Sequence, residues 1–167
     1  YLVAGGWAPN DTPTLIVKFD AFGTMQWAKG YGSYQGKLNY IIKTSDSNYV
    51  AVGLMGAVPY SLYLIKISPA GILIWEKAYR NRNSSQNANG YCVEETSDGG
   101  LIITGYGDFD IPHTSTWLLK TDSDGNTLWT KILYGEGGRS VRQTNDEGFV
   151  ITSNLAGNAL LHKTNRD

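Results

Sequence analysis

Three tryptophans in matched settings constrain this chain more than any other feature. Trp27 lies in Met25-Gln26-Trp27-Ala28-Lys29, Trp75 in Leu73-Ile74-Trp75-Glu76-Lys77 and Trp129 in Thr127-Leu128-Trp129-Thr130-Lys131, 48 and 54 residues apart. Lys18, Lys66, Lys120 and Lys163 each end an apolar run upstream, and Gly23, Gly71 and Gly125 follow the first three. Gly5, Gly53 and Gly105 close another apolar run, with Ser153 in the fourth copy. Thr44, Thr96 and Thr144 open the turns Thr44-Ser45-Asp46, Thr96-Ser97-Asp98 and Thr144-Asn145-Asp146. Self-similarity at a period of about 50 residues marks a repeat architecture, in which one supersecondary unit buries its faces by stacking on its like.

Each unit reads as four short strands, a to d, bounded by Gly, Asp, Asn or Pro. Strand a covers residues 40–44, 91–96 and 139–144. Strand b covers 1–5, 49–53, 101–105 and 149–153. Strand c covers 15–19, 62–67, 116–121 and 159–164, and strand d carries the tryptophan. Strands b and c are apolar at successive positions, as in Leu101-Ile102-Ile103 and Tyr63-Leu64-Ile65. A strand apolar on both faces is covered on both faces. Strand a is different: Ile41, Val93 and Val141 anchor it, but Lys43, Glu94, Glu95, Arg142 and Gln143 follow. A flat sandwich would show alternation in nearly every strand. The expectation is therefore an all-β protein, a β-propeller of four-stranded antiparallel blades with strand a facing a wet channel. The units fall at about 1–32, 33–80, 81–135 and 136–167 of a single domain. The strands run bcd, abcd, abcd, abc, so the first and last blades are incomplete. The chain opens in mid-unit, as a mature or excised segment would.

The run from Thr96 to Gly105 and the run from Leu118 to Trp129 resemble the repeats of bacterial and archaeal secreted β-propeller proteins. The stretch from Leu64 to Trp75 is similar to the tryptophan-docking repeat of quinoprotein-like propellers. That resemblance implies a propeller in which each tryptophan packs against the neighbouring blade. It implies no particular activity, because this fold hosts many.

Composition narrows the classes of function. The net charge of −1 offers no basic footprint for nucleic acid. No run of 18 apolar residues is present to span a membrane. Cys92 is the single cysteine, so no intrachain disulfide forms, and a buried, inert thiol is the default for it. The sequence carries no Gly-rich phosphate cradle, paired-His metal motif or Ser-His-Asp signature, so no enzyme, metal or cofactor is expected. A turn-rich composition poor in charge suits an extracellular or cell-surface protein.

The repeat also divides its loops. The a–b and c–d turns are short and alike, whereas the d–a and b–c loops vary, and variation gathered on one face of a repeat scaffold marks a binding face. Trp7, Tyr34, Tyr60, Asn83, Asp108, Phe109, Asp110 and His113 fall in those loops. Their rings could stack on sugars or anchor a protein, and the carboxylates and imidazole of Asp108, Asp110 and His113 suit polar contacts or a metal. A solvated polar loop explains the latter three more simply. Asp122-Ser123-Asp124-Gly125 has carboxylates but lacks the spacing and distal Glu of a calcium loop, and a hairpin turn accounts for it. Lys43, Glu94, Glu95, Arg142 and Gln143 should line the channel mouth. His162 takes an apolar position of strand c in the last unit, and 10–12 and 83–85 match the glycosylation sequon. The function expected is a non-enzymatic surface or secreted module that binds a protein or glycan through its variable loops. A purely structural repeat segment of a larger surface or filament protein is one alternative, and a fragment of a propeller enzyme is another. Open blade edges admit a homo-oligomer or a continuation of repeats.

Overall fold

The computed structural model describes residues 1–5, 14–32, 35–57, 59–80, 87–107 and 115–166. They form four antiparallel sheets, taken in chain order. Sheet 1 holds β1 (Leu2–Gly5), β2 (Thr14–Phe19) and β3 (Met25–Tyr31). Sheet 2 holds β4 (Gly36–Lys43), β5 (Tyr49–Met55), β6 (Ser61–Ile67) and β7 (Leu73–Tyr79). Sheet 3 holds β8 (Ala88–Glu95), β9 (Leu101–Gly107), β10 (Ser115–Thr121) and β11 (Thr127–Leu133). Sheet 4 holds β12 (Gly138–Gln143), β13 (Phe149–Leu155) and β14 (Asn158–Thr164).

The strand units are those the repeat implies, three in the first and last sheets and four in the middle two. The closed propeller is not. The four sheets are separate and open, with no strand shared between them and none closed or curled into blades. The physical reason lies in the terminal sheets. Their strands carry apolar residues on two faces but are covered on one, so the ring that two-faced strands imply stays unclosed. The assignment to secreted propeller repeat proteins falls with the ring, and so does the wet central channel.

Three apolar clusters separate consecutive sheets. Ile16 and Tyr31 of sheet 1 meet Ala51, Tyr63, Ile65 and Ile67 of sheet 2. Val50, Val52, Leu62 and Leu64 on the far side of sheet 2 meet Val93, Leu101, Ile103, Trp117 and Leu119 of sheet 3. Ile102 and Leu118 meet Val141, Phe149 and Ile151 of sheet 4. This is why β6 and β10 are buried along their whole length while β7, β11 and β14, at the sheet margins, alternate.

Two strands begin earlier than alternation suggests. β4 starts at Gly36 and β8 at Ala88, because the pairing register slips between Leu38 and Tyr40 and between Gly90 and Cys92. Such a bulge brings two backbones close, and glycine opposite it leaves room. A Cβ on Gly53 would sit 1.8 Å from the Lys37 carbonyl oxygen, and one on Gly105 1.9 Å from that of Asn89. Gly53 and Gly105 are thus fixed by the bulge of the partner strand.

The a–b turns repeat in detail. Thr44, Thr96 and Thr144 each donate a side-chain hydrogen bond to the aspartate two residues on, at 2.6, 2.5 and 2.5 Å. The same aspartates pair with Lys66 (2.8 Å), Lys120 (3.1 Å) and Lys163 (2.8 Å) on the third strand of their sheets.

Candidate functional site

The side chains that join one sheet to the next are the ones with positional chemistry, and they fall into two repeated sets. The first is a clamp. Trp27, Lys29 and Tyr31 alternate along β3 and close on the turn between β6 and β7. Lys29 Nζ donates to the Ala70 carbonyl (2.8 Å), Tyr31 Oη to the Gly71 carbonyl (2.9 Å), and a Cβ on Gly71 would lie 3.1 Å from the indole. Trp75, Lys77 and Tyr79 repeat this on the next sheet. Tyr79 Oη donates to the Gly125 carbonyl (2.6 Å), Lys77 Nζ to Asn126 Oδ1 (2.6 Å), and the indole lies 3.2 Å from a Cβ at Gly125. Both glycines have positive φ, +70° and +75°, a conformation that favours glycine. Burial raises the Tyr31 and Tyr79 hydroxyl pKa values, Tyr79 with the added negative field of Asp122, so both stay protonated donors.

Trp129 and Lys131 begin a third copy, but Leu133 stands in the tyrosine's place. Tyr134, the next residue, is exposed. Trp129 meets Phe149 edge-on at 5.8 Å, above a cleft of about 270 Å³ whose lining includes Lys120, Gln143 and Arg166.

The second set joins the sheets where strand a ends. Ser45 donates its backbone N–H and its hydroxyl to the two carboxylate oxygens of Glu95 (2.7 and 2.8 Å), and the Ser97 N–H donates to Gln143 Oε1 (2.8 Å). Arg142 pairs with Glu94 at 3.0 Å. A hydrogen bond with Tyr40, with Glu94 adding to it, raises the Arg142 pKa further and keeps it cationic. Glu94, Glu95, Arg142 and Gln143, expected to line a channel, instead stitch sheets 2, 3 and 4 together. Lys43 holds the register position of Glu95 and Gln143, and among the described residues it makes no ion pair. The signal for these stitches was the shared register of residues 43, 95 and 143; the serine partners were missed because they lie a whole repeat away.

Beyond these joints, the terminal sheets show what they leave uncovered. Ile16, Leu64 and Leu118 are equivalent positions and fully buried, yet Leu161, their counterpart on β14, is 72% exposed. Val3 and Leu15 of sheet 1 are 55% and 45% exposed, whereas their counterparts Ala51 and Tyr63 are buried. Among the described residues β1 also pairs with β2 alone, whereas β5, β9 and β13 each have a strand on both sides.

Of the loop residues expected to form a binding face, Trp7, Tyr34, Asn83, Asp108, Phe109, Asp110 and His113 lie outside the described residues. Tyr60 is half-buried; its N–H donates to Asn87 Oδ1 (2.9 Å) and its carbonyl accepts from Ala88 N–H (2.9 Å). The closed ring whose face was expected to gather these loops is not formed. The protein- or glycan-binding role on that face, and the secreted surface module built on it, lose their support. His162 Nε2 lies 2.9 Å from Ser153 Oγ, two departures from the repeat that meet each other. Cys92 is buried and free. No group of metal-ligating side chains gathers among the described residues, and no described helix is long and apolar enough to cross a membrane.

No family model matches the sequence, and no curated protein matches it. The fold is similar to the crystal structure of a protein of unknown function from Bacteroides caccae, with a TM-score of 0.56 and 11% identity over 99% of this chain. The chain spans 58% of the length of that protein. At this identity the likeness shows the fold alone.

Proposed function

We propose that the chain is an assembly module that associates head to tail, the outer face of sheet 1 on one copy seating on the outer face of sheet 4 on the next. One observation carries this reading: positions buried between sheets inside the molecule are exposed on its two terminal sheets. Leu161, Val3 and Leu15 occupy strands of the same kind and register as Leu64, Ala51 and Tyr63. Each large side chain so covered gains at most about 1.5–3 kcal/mol by leaving water, and the half-buried Leu15 and Val3 gain less than Leu161. The two faces differ, so the contact is heterologous and grows into rings or filaments rather than stopping at a symmetric dimer.

Sedimentation velocity over a concentration series tests it. The wild type should show mass-action association beyond a dimer, and Leu161→Asp should weaken that association at least about tenfold, the equivalent of 1.4 kcal/mol. A wild type that stays monomeric throughout, or an unchanged isotherm for Leu161→Asp, would contradict the reading.

A further inference from the structure

We infer that the edge of β1 left unpaired among the described residues is a strand-capture site, which takes an extended segment carrying an apolar residue and, close after it, a carboxylate. The inference concerns an edge, not the outer faces, and does not need self-association.

Backbone geometry defines the edge. Tyr1 and Phe19 exchange both of their backbone hydrogen bonds, at 2.7 and 2.8 Å. Such bonded pairs alternate along an antiparallel ladder. The N–H and C=O groups of Leu2 and Ala4 therefore point away from β2. In the other three sheets, that side of strand b is paired with β4, β8 or β12. Beside β1 runs a cleft of about 210 Å³ lined by Tyr1, Leu2, Ile41, Ile42, Lys43 and Tyr49. An unpaired backbone row next to an apolar cleft is the setting for strand addition: main-chain bonds give affinity and side-chain seats give specificity.

The neighbouring sheets indicate what fits. Where sheets 2 and 3 meet, Ile42 packs in the cluster that holds Val93; where sheets 3 and 4 meet, Cys92 packs in the cluster that holds Val141. Strand a of one sheet thus lays an apolar side chain over strand a of the next, and at β1 that seat is the Ile41 side of the cleft. At the end of the strand, Glu95 and Gln143 present acceptors to the N–H of the preceding sheet's turn. Lys43 presents a cation there instead, with no carboxylate partner among the described residues. The complement to Lys43 is an acidic residue in the incoming segment, which runs antiparallel to β1.

A synthetic peptide with the sequence of residues 88–100, its cysteine replaced by valine so that an apolar side chain still occupies that position, has this pattern and serves as the probe. Binding is followed by fluorescence anisotropy on the wild type and on Leu161→Asp. Saturable binding is expected on both, with a scrambled peptide silent. Ala4→Pro removes an N–H that no described strand uses, and proline is tolerated at an edge. It should weaken binding at least about tenfold. Lys43→Glu should weaken the acidic peptide and restore binding to a version with both glutamates changed to lysine. Circular dichroism confirms that each variant is folded. If Ala4→Pro does not fold, the charge exchange at Lys43 decides alone. No binding up to about 1 mM, or binding indifferent to Lys43→Glu, overturns the inference. Because Leu161→Asp is included, loss of self-association leaves the capture result standing.

Discussion

Lys66 and Lys120 lie on strands buried on both faces, and each is held by the aspartate of its own sheet's a–b turn. The ingredients were legible in the sequence, since Thr-x-Asp and the strand-ending lysine recur together. Their pairing was not, because the two residues come together only when b and c form a hairpin. For Asp46, hydrogen bonds from Lys66 first and then Thr44 hold the carboxyl well below its ordinary range; Lys163 and Thr144 do the same for Asp146. For Asp98 partial desolvation pushes upward, but Thr96, the Gly100 N–H and Lys120 outweigh it and the pKa settles at about 2. A folded pKa below the unfolded value gives stability that is present above the unfolded pKa and lost as pH falls through the folded one. Urea melts of wild type and Asp98→Asn should therefore differ by a constant amount above about pH 4. The difference should shrink as pH falls toward about 2. A difference that is flat across that window would mean the ion pair adds nothing to the fold.

At the scale of the element, the clamp and the bulge explain most of the invariant spacing within this one chain. The clamp couples Trp75 to Gly125 across two sheets. Trp75→Ala should cost about 3–5 kcal/mol, as truncation of packed tryptophans does, and Gly125→Ala forces both a strained φ and a clash with the indole. In a double-mutant cycle the two losses should fall short of additive by more than about 0.5 kcal/mol, since they act on one contact. Additive losses, or a loss for Trp75→Ala under about 1 kcal/mol, would mean the indole is not packed as described. The bulges were invisible to an alternation rule. Asn39 and Tyr91 break the in–out pattern, so the starts of β4 and β8 were set too late. Gly53 and Gly105 were read as strand ends, although what requires them is the carbonyl of the partner strand. Gly105→Ala, with its Cβ driven onto that carbonyl, should destabilise by about 1–3 kcal/mol in the same melts.

For the whole molecule, the sequence carried the repeat, the four-strand unit and the incompleteness of the first and last units. Two-faced strands such as Tyr63-Leu64-Ile65 could not say whether every such strand finds a cover on both sides. The closed ring was the simplest way to cover them all, and Val3, Leu15 and Leu161 show that it is not the one realised. Those residues read in the sequence like their buried counterparts, because local pattern records what a strand can pack against and not whether a partner is there. The interface they imply is tested most directly by cross-linking. Two single-cysteine proteins, Leu161→Cys and Leu15→Cys, each in a Cys92→Ser background, are mixed under mild oxidation. Head-to-tail seating should yield the mixed disulfide well in excess of either homodimer, with no such excess once Leu15→Cys also carries Val3→Asp. Homodimers at random proportion, or no cross-link at all, would contradict it.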